Sequence, residues 1–158
     1  MSTAAEVRAA WAANVWADTN ITAYTENIYS FDLSEVAEIS KTHEALTLYE
    51  AEVNFIQYQV NKAFQYQNTG QFIGIFPVTV QYFKEAKYDT NGTAYNSLIG
   101  FFDALHTSVR SNLSKTWGST VDGWDAQQEA PEIEVRELIG RPVWYGSYQF
   151  IGFKAESI

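Results

Sequence analysis

The sequence predicts an α+β domain with a mostly antiparallel sheet, and three observations carry that prediction. Two stretches of helical periodicity, Val7–Val15 and Tyr95–Leu113, stand apart from runs in which apolar and polar residues alternate. Those runs come in groups, two before the long helix and three after it, where a parallel sheet would alternate strand with helix throughout. Aromatic residues make up 16% of the chain, with ten Tyr, ten Phe and five Trp; such side chains favour strands and bring large areas to bury. The expected architecture is a sheet of about five strands, packed on one face by an N-terminal helix and a long central helix, in a single domain over residues 1–158.

Each element has its own signal. Ser2 and Thr3 followed by Glu6 offer a helix start, and Val7, Trp11 and Val15 form one apolar stripe suited to packing on a sheet. Between Asn20 and Leu48 the period weakens: Ile21, Tyr24, Ile28, Tyr29 and Phe31 suggest a short strand, and Asp32, Ser34, Glu35 and Glu38 a helix start. From Glu50 the pattern is β. Val53 and Phe55 fall on one face and Ile56, Tyr58 and Val60 on the other, a phase change that predicts a bulge near Ile56, with strand character continuing towards Tyr66. Gln67 to Gln71 is a turn by composition, and Phe72 to Phe83 returns as the second arm of a long hairpin. Pro77 within that arm implies an edge or a local break in the ladder. After the turn residues Asn91 and Gly92, Thr93 is placed to cap a helix whose stripe is Tyr95, Leu98, Ile99, Phe102, Leu105, Val109 and Leu113. Three strands close the chain, Trp117–Trp124, Ile133–Leu138 and Pro142–Phe153, the last two joined by a turn at Ile139–Arg141.

Composition excludes several functions. The chain contains no cysteine, so disulfides and thiolate metal sites are out, and its two histidines, His43 and His106, fit no metal-ligand spacing. A net charge of −9 with scattered basic residues argues against phosphate binding and hence against sequence-specific recognition of nucleic acid. No apolar run approaches the roughly 20 residues that span a membrane, and the start lacks the charged-then-apolar order of a signal peptide. A soluble product made in the cytoplasm is expected.

Catalytic signals are weak. The glycine-rich phosphate loops and the nucleophile elbow are absent, and Ser119 in TWGSTVD has neither the flanking glycines nor a nearby histidine. The acidic pairs Glu35/Glu38, Glu50/Glu52 and Asp122/Asp125 could act as acid–base pairs or hard-cation ligands. In the strand after Pro131, alternation sends Glu132, Glu134 and Arg136 to one side and Ile133 and Val135 to the other, the pattern of a half-buried strand with a solvated or partner-facing charged row. No catalytic residue, cofactor or metal is expected. An apolar pocket between a curved sheet and a helix stays open as an alternative.

The segments VRAAWAANVWA, ITAYTENIYSFD, EVNFIQYQV, FPVTVQYFKEA and AYNSLIGFFDALHTSVRSNLSKTWGSTVD, then APEIEVRELIGRPVWYGSYQFIGFK, together resemble tail terminator proteins of long-tailed bacteriophages. WGSTVD, the Pro-Glu-Ile opening and GRPVWYGSYQFIGF carry most of the likeness. The resemblance implies a non-enzymatic α+β virion protein that assembles in the host cytoplasm into a hexameric ring on the finished tail tube. Such a ring stops further growth and presents a face to the neck; its partners are the tube protein and a neck or head-completion protein, and DNA can pass through its lumen. A ring needs two different complementary patches on each subunit. The candidates are the hairpin tip with Gln67, Asn68 and Gln71, and the stretch from Asp122 to the charged row of Glu132, Glu134 and Arg136. Another neck or tail-completion protein, or a small-ligand-binding or enzymatic cone-type domain, are the alternatives.

Overall fold

The structure is a computed structural model that describes residues 2–30, 53–66, 70–86, 92–111, 120–126, 130–138 and 141–157. In chain order the elements are α1 (Ala4–Asn14), α2 (Thr19–Thr22), β1 (Ile28–Ser30), β2 (Asn54–Val60), β3 (Ala63–Tyr66), β4 (Gln71–Glu85), α3 (Thr93–Ser111), β5 (Gly123–Ala126), β6 (Glu132–Leu138) and β7 (Arg141–Ser157). The fold is α+β, with a mixed, mostly antiparallel sheet of seven strands and three helices among the described residues.

A two-stranded spine organises the sheet. β4 and β7 pair antiparallel along all 15 residues of β4, from Gln71 opposite Ser157 to Glu85 opposite Val143. At about 3.4 Å per residue the spine is roughly 50 Å long. Each side of it is flanked by two short strands placed end to end. β2 lies against Val78–Lys84 and β3 against Phe72–Ile75 on the β4 side. β6 lies against Arg141–Ser147 and β5 against Phe150–Phe153 on the β7 side. β1 adds a parallel pair, to β2, the one parallel pair among the described residues.

This end-to-end arrangement is why seven strands stand where about five are expected. The run from Asn54 to Tyr66 is two strands broken at Asn61 and Lys62, and β1 is a further short strand. Pro77 sits at that break: its carbonyl accepts from the Asn61 N–H at 3.1 Å, so its missing N–H faces the gap between β2 and β3 and costs no ladder bond. The proline is therefore in a central strand, at a local interruption. Ile21 belongs to α2, capped by Asp18, so among the described residues of that region Ile28–Ser30 alone is strand, and Phe31 lies outside them. The helix start expected at Asp32–Glu38 and the strand start at Trp117–Ser119 lie outside the described residues; Thr120–Asp122 of that expected strand are not strand, and β5 begins only at Gly123.

The expected bulge near Ile56 does not exist. β2 keeps an unbroken one-to-one register with β4 from Asn54 opposite Lys84 to Val60 opposite Val78. Its phase change has another cause: both faces of the sheet bury apolar residues here. Ile56, Tyr58 and Val60 enter the main core, while Val53 and Phe55 join Val143 in a second cluster on the opposite face, with Tyr29, Phe83 and Leu138 packed around it.

The main core lies between the sheet and the helices. Phe76, Val78, Val80 and Tyr82 of β4, all fully buried, meet Val7, Trp11 and Val15 of the N-terminal segment and Leu98, Phe101 and Leu105 of α3. The α1 stripe faces the core as its periodicity predicts, and Thr3 caps α1 by accepting from the Glu6 N–H at 3.2 Å. Of the α3 stripe Leu98, Phe102, Leu105 and Val109 are buried, but Tyr95 is exposed and the fully buried Phe101 lies outside the expected stripe; Leu113 lies outside the described residues. For α3, Gly92 with φ +69° precedes the first helical residue, Thr93, and its carbonyl accepts from the Asn96 N–H, so the glycine holds the cap position expected for Thr93. α3 can approach β7 closely because of Gly146: a Cβ there would lie 2.3 Å from the Phe102 ring. Trp11 is the hub of the aromatic packing, with Trp124 edge-on at 5.4 Å, Trp16 at 5.6 Å and Phe150 at 5.7 Å.

Polar groups buried at both ends of the spine have partners. The Tyr82 hydroxyl donates to Asn54 Oδ1 at 2.6 Å, and burial, then the neighbouring Tyr24, hold its phenol well above the usual range. At the other end of the spine Lys62 pairs with Glu156 at 3.2 Å and donates to the Ser2 carbonyl, while the Ser2 N–H donates to Glu156 Oε1. This clamp fixes the start of α1 to the ends of β3 and β7.

Candidate assembly interface

The face of the sheet turned away from the helices is built from the odd-numbered positions of the spine. Its middle carries only amides and hydroxyls: Gln57, Thr79, Gln81, Ser147 and Gln149, with Gln149 Nε2 donating to Thr79 Oγ1 at 3.3 Å. Aromatic rings of the second cluster lie at one end, with Phe55 stacked on Phe83 at 4.9 Å and Phe83 against Tyr145 at 5.0 Å. Ile73, Ile75, Ile151 and Phe153 lie at the other, and Phe153 is 41% exposed.

The charged row of β6 projects on this open face. Register places Glu134 opposite Tyr145 and Arg136 opposite Val143, so Glu132, Glu134 and Arg136 share one side, as strand alternation requires. Arg136 Nε donates to Glu134 Oε1 at 2.5 Å, and the guanidinium lies 3.7 Å from the centre of the Tyr145 ring. The bond from Glu134 raises the affinity of Arg136 for its proton further. Tyr145 is held from behind, its hydroxyl accepting from Gln81 Nε2 at 2.7 Å. The strand is less buried than its pattern suggests. Ile133 packs against the main core, but Val135 is 55% exposed; among the described residues β6 pairs with β7 alone and is an edge strand.

Asp122 and Gln71 occupy the far end. Asp122 Oδ2 accepts from the Ala155 N–H at 2.9 Å and Oδ1 from Lys154 Nζ at 3.3 Å. The Ala155 N–H is the main cause of a carboxyl pKa below its usual value; burial opposes it, and Lys154 adds to the lowering. Beside it Phe153 lies over Gly123, where a Cβ would come within 2.8 Å of the ring. Gln71 begins β4 opposite Ser157 and is exposed. Gln67 and Asn68 lie outside the described residues.

The stretch from Asp122 to Arg136, expected to form one patch, is therefore split: Asp122 lies by Phe153 and Ala155 at the Gln71 end of β7, away from the charged row. Gln71 and Asp122 stand near one end of the spine, and Glu132, Glu134 and Arg136 flank the other. From Tyr145 to Ala155 along β7 the groups are roughly 34 Å apart at about 3.4 Å per residue. Sequence reasoning missed Tyr145, Gln81 and Lys154 as supports of these side chains; the out-of-phase Val53 and Phe55 were the signal that the open face has packing of its own.

A separate cleft of about 370 Å³ opens between α3 and β7, lined by Phe102, Asp103, His106, Thr107, Pro131 and Tyr148. The His106 ring stands edge-on to Tyr148 at 6.1 Å. Burial raises the Tyr148 phenol pKa. Among the described residues no three His, Asp or Glu side chains converge as a metal site requires, and no helix is long and apolar enough to cross a membrane. Comparison with protein-family models and with curated protein sequences gives no match.

Proposed function

We propose that this chain is a bacteriophage tail terminator: a structural subunit that forms a ring, of six copies by the resemblance, on the end of the tail tube, halts its growth and meets the neck. The observation that supports this reading is the division of the candidate interface residues into two chemically different patches near opposite ends of one rigid spine. A cyclic ring joins one patch of each subunit to a different patch of the next, and a spine of continuous ladder holds such patches at fixed separation. The Asp122/Gln71 end offers a carboxylate, an amide and the exposed Phe153; the β6 flank offers Arg136 between Glu134 and Tyr145. The uncharged band of Gln57, Thr79, Gln81, Ser147 and Gln149 gives a passing polyanion no cation to hold it.

Electron microscopy of particles assembled without this chain tests the proposal. Tails of irregular, extended length that fail to join heads are expected. Tails of normal length joined to heads would refute it. A ligand-binding reading rests on the cleft at His106, and its test is a thermal-shift screen of small apolar and amine ligands, with loss of the effect in Tyr148→Ala.

A further inference from the structure

The edge strand β6 is complementary to itself, and we infer that two free copies of the chain pair through it, antiparallel, about a two-fold axis at Val135. Among the described residues β6 pairs with β7 alone, and an edge strand presents a row of backbone donors and acceptors. Charged side chains usually block edge-to-edge pairing, and here they block every register centred within Glu132–Glu137 but one. A two-fold axis perpendicular to the sheet keeps the helices of both copies on one side and must lie midway between one residue and its own copy, so the register is set by which residue faces itself across the axis.

Centring on Glu134 or Glu137 places like carboxylates face to face, centring on Ile133 sets Glu132 against Glu134, and centring on Arg136 opposes two guanidiniums. Centring on Val135 sets Glu134 opposite Arg136 twice, Ile133 opposite Glu137 and Glu132 opposite Leu138, with no like charges facing. It also uses the whole strand, because Val135 is its midpoint. On the open face Arg136 already lies beside Glu134 and over Tyr145, so the paired form needs little reordering of the side chain. On the helix side the residue facing itself is Val135, the most exposed of the large apolar side chains described, beside its register partner Trp144, which packs on Tyr95 at 5.0 Å.

The inference stands apart from the tail reading. If both hold, the pair and the ring are alternative uses of one edge, and the pair shields that edge until the chain reaches a tube.

Sedimentation equilibrium of the purified full chain over a wide concentration series tests it, with hydrogen exchange of the β6 amides as the second readout. The mass should rise from 17.9 kDa towards twice that value, with protection of β6 amides growing in step. Arg136→Glu, and separately Val135→Lys, should raise the concentration needed for pairing by roughly tenfold or more, since two symmetric contacts change sign. The double variant Glu134→Arg/Arg136→Glu should restore pairing, because it recreates both cross-strand ion pairs and places an arginine at the register position opposite Tyr145. A monomer at every concentration overturns the inference. So does a dimer indifferent to Arg136→Glu and Val135→Lys, or a double variant, folded by circular dichroism, that stays monomeric.

Discussion

The two faces of the β4–β7 spine are made from alternate residues of the same strands and have different chemistry. On the helix side Phe76, Val78, Val80 and Tyr82 are fully buried. On the open side Pro77, Thr79 and Gln81 are half-buried, and the aromatic cluster is confined to one end. The helix side is where the fold obtains its stability, since each large side chain buried there contributes about 1.5–3 kcal/mol. The open side can change its residues at lower cost, which makes it the face on which recognition can be varied.

Substitutions should separate the faces by magnitude. Trp11→Ala removes the ring that Trp16, Trp124 and Phe150 surround, and should lower unfolding stability by about 3–5 kcal/mol in a denaturant titration. Lys62→Ala leaves Glu156, 4% exposed, without its cation and should cost about 3 kcal/mol; a loss below about 1 kcal/mol would mean the clamp on the start of α1 is solvated. Gly146→Ala drives a methyl group into Phe102 and should cost roughly 1–3 kcal/mol, relieved when combined with Phe102→Leu. Gln149→Ala on the open face should change stability by about 0.5 kcal/mol or less; an effect as large as that of Gly146→Ala would erase the contrast between the faces.

The smallest expected effect is the pH dependence due to Asp122. Its folded pKa lies below the ordinary 3.8, so between the two values the unfolded chain binds more protons than the folded one, and stability rises with pH there. The contribution is complete above the ordinary carboxylate range and is lost as pH falls through the depressed folded value. With the side chain 38% exposed it should amount to roughly half a kcal/mol or less. Asp122→Asn should flatten that part of an acid titration of stability followed by circular dichroism.

Much of the candidate interface was legible before the fold was known, because strand alternation alone puts Glu132, Glu134 and Arg136 on one side. Their support was not legible: Tyr145 lies opposite Glu134 only through the register of the β6–β7 hairpin, and Gln81 reaches it from a strand 64 residues away. The Asp122–Lys154 contact, whose partners stand 32 positions apart, is of the same kind.

What the sequence by itself determined are the properties that depend on near neighbours. The α+β class, the buried stripe of α1, the helical period of α3, the capping of α1 by Thr3 and the β character of the hairpins all follow from spacing within one element. Tertiary structure decided what depends on pairing between distant segments. It split the flanks of the spine into end-to-end strands, turned the apparent bulge in β2 into a second apolar cluster, put Pro77 at a gap in the ladder and left β6 on an edge with Val135 uncovered. The physical reason is that periodicity records that a residue is buried or exposed, while the surface that buries it is supplied by whichever strand the register brings alongside.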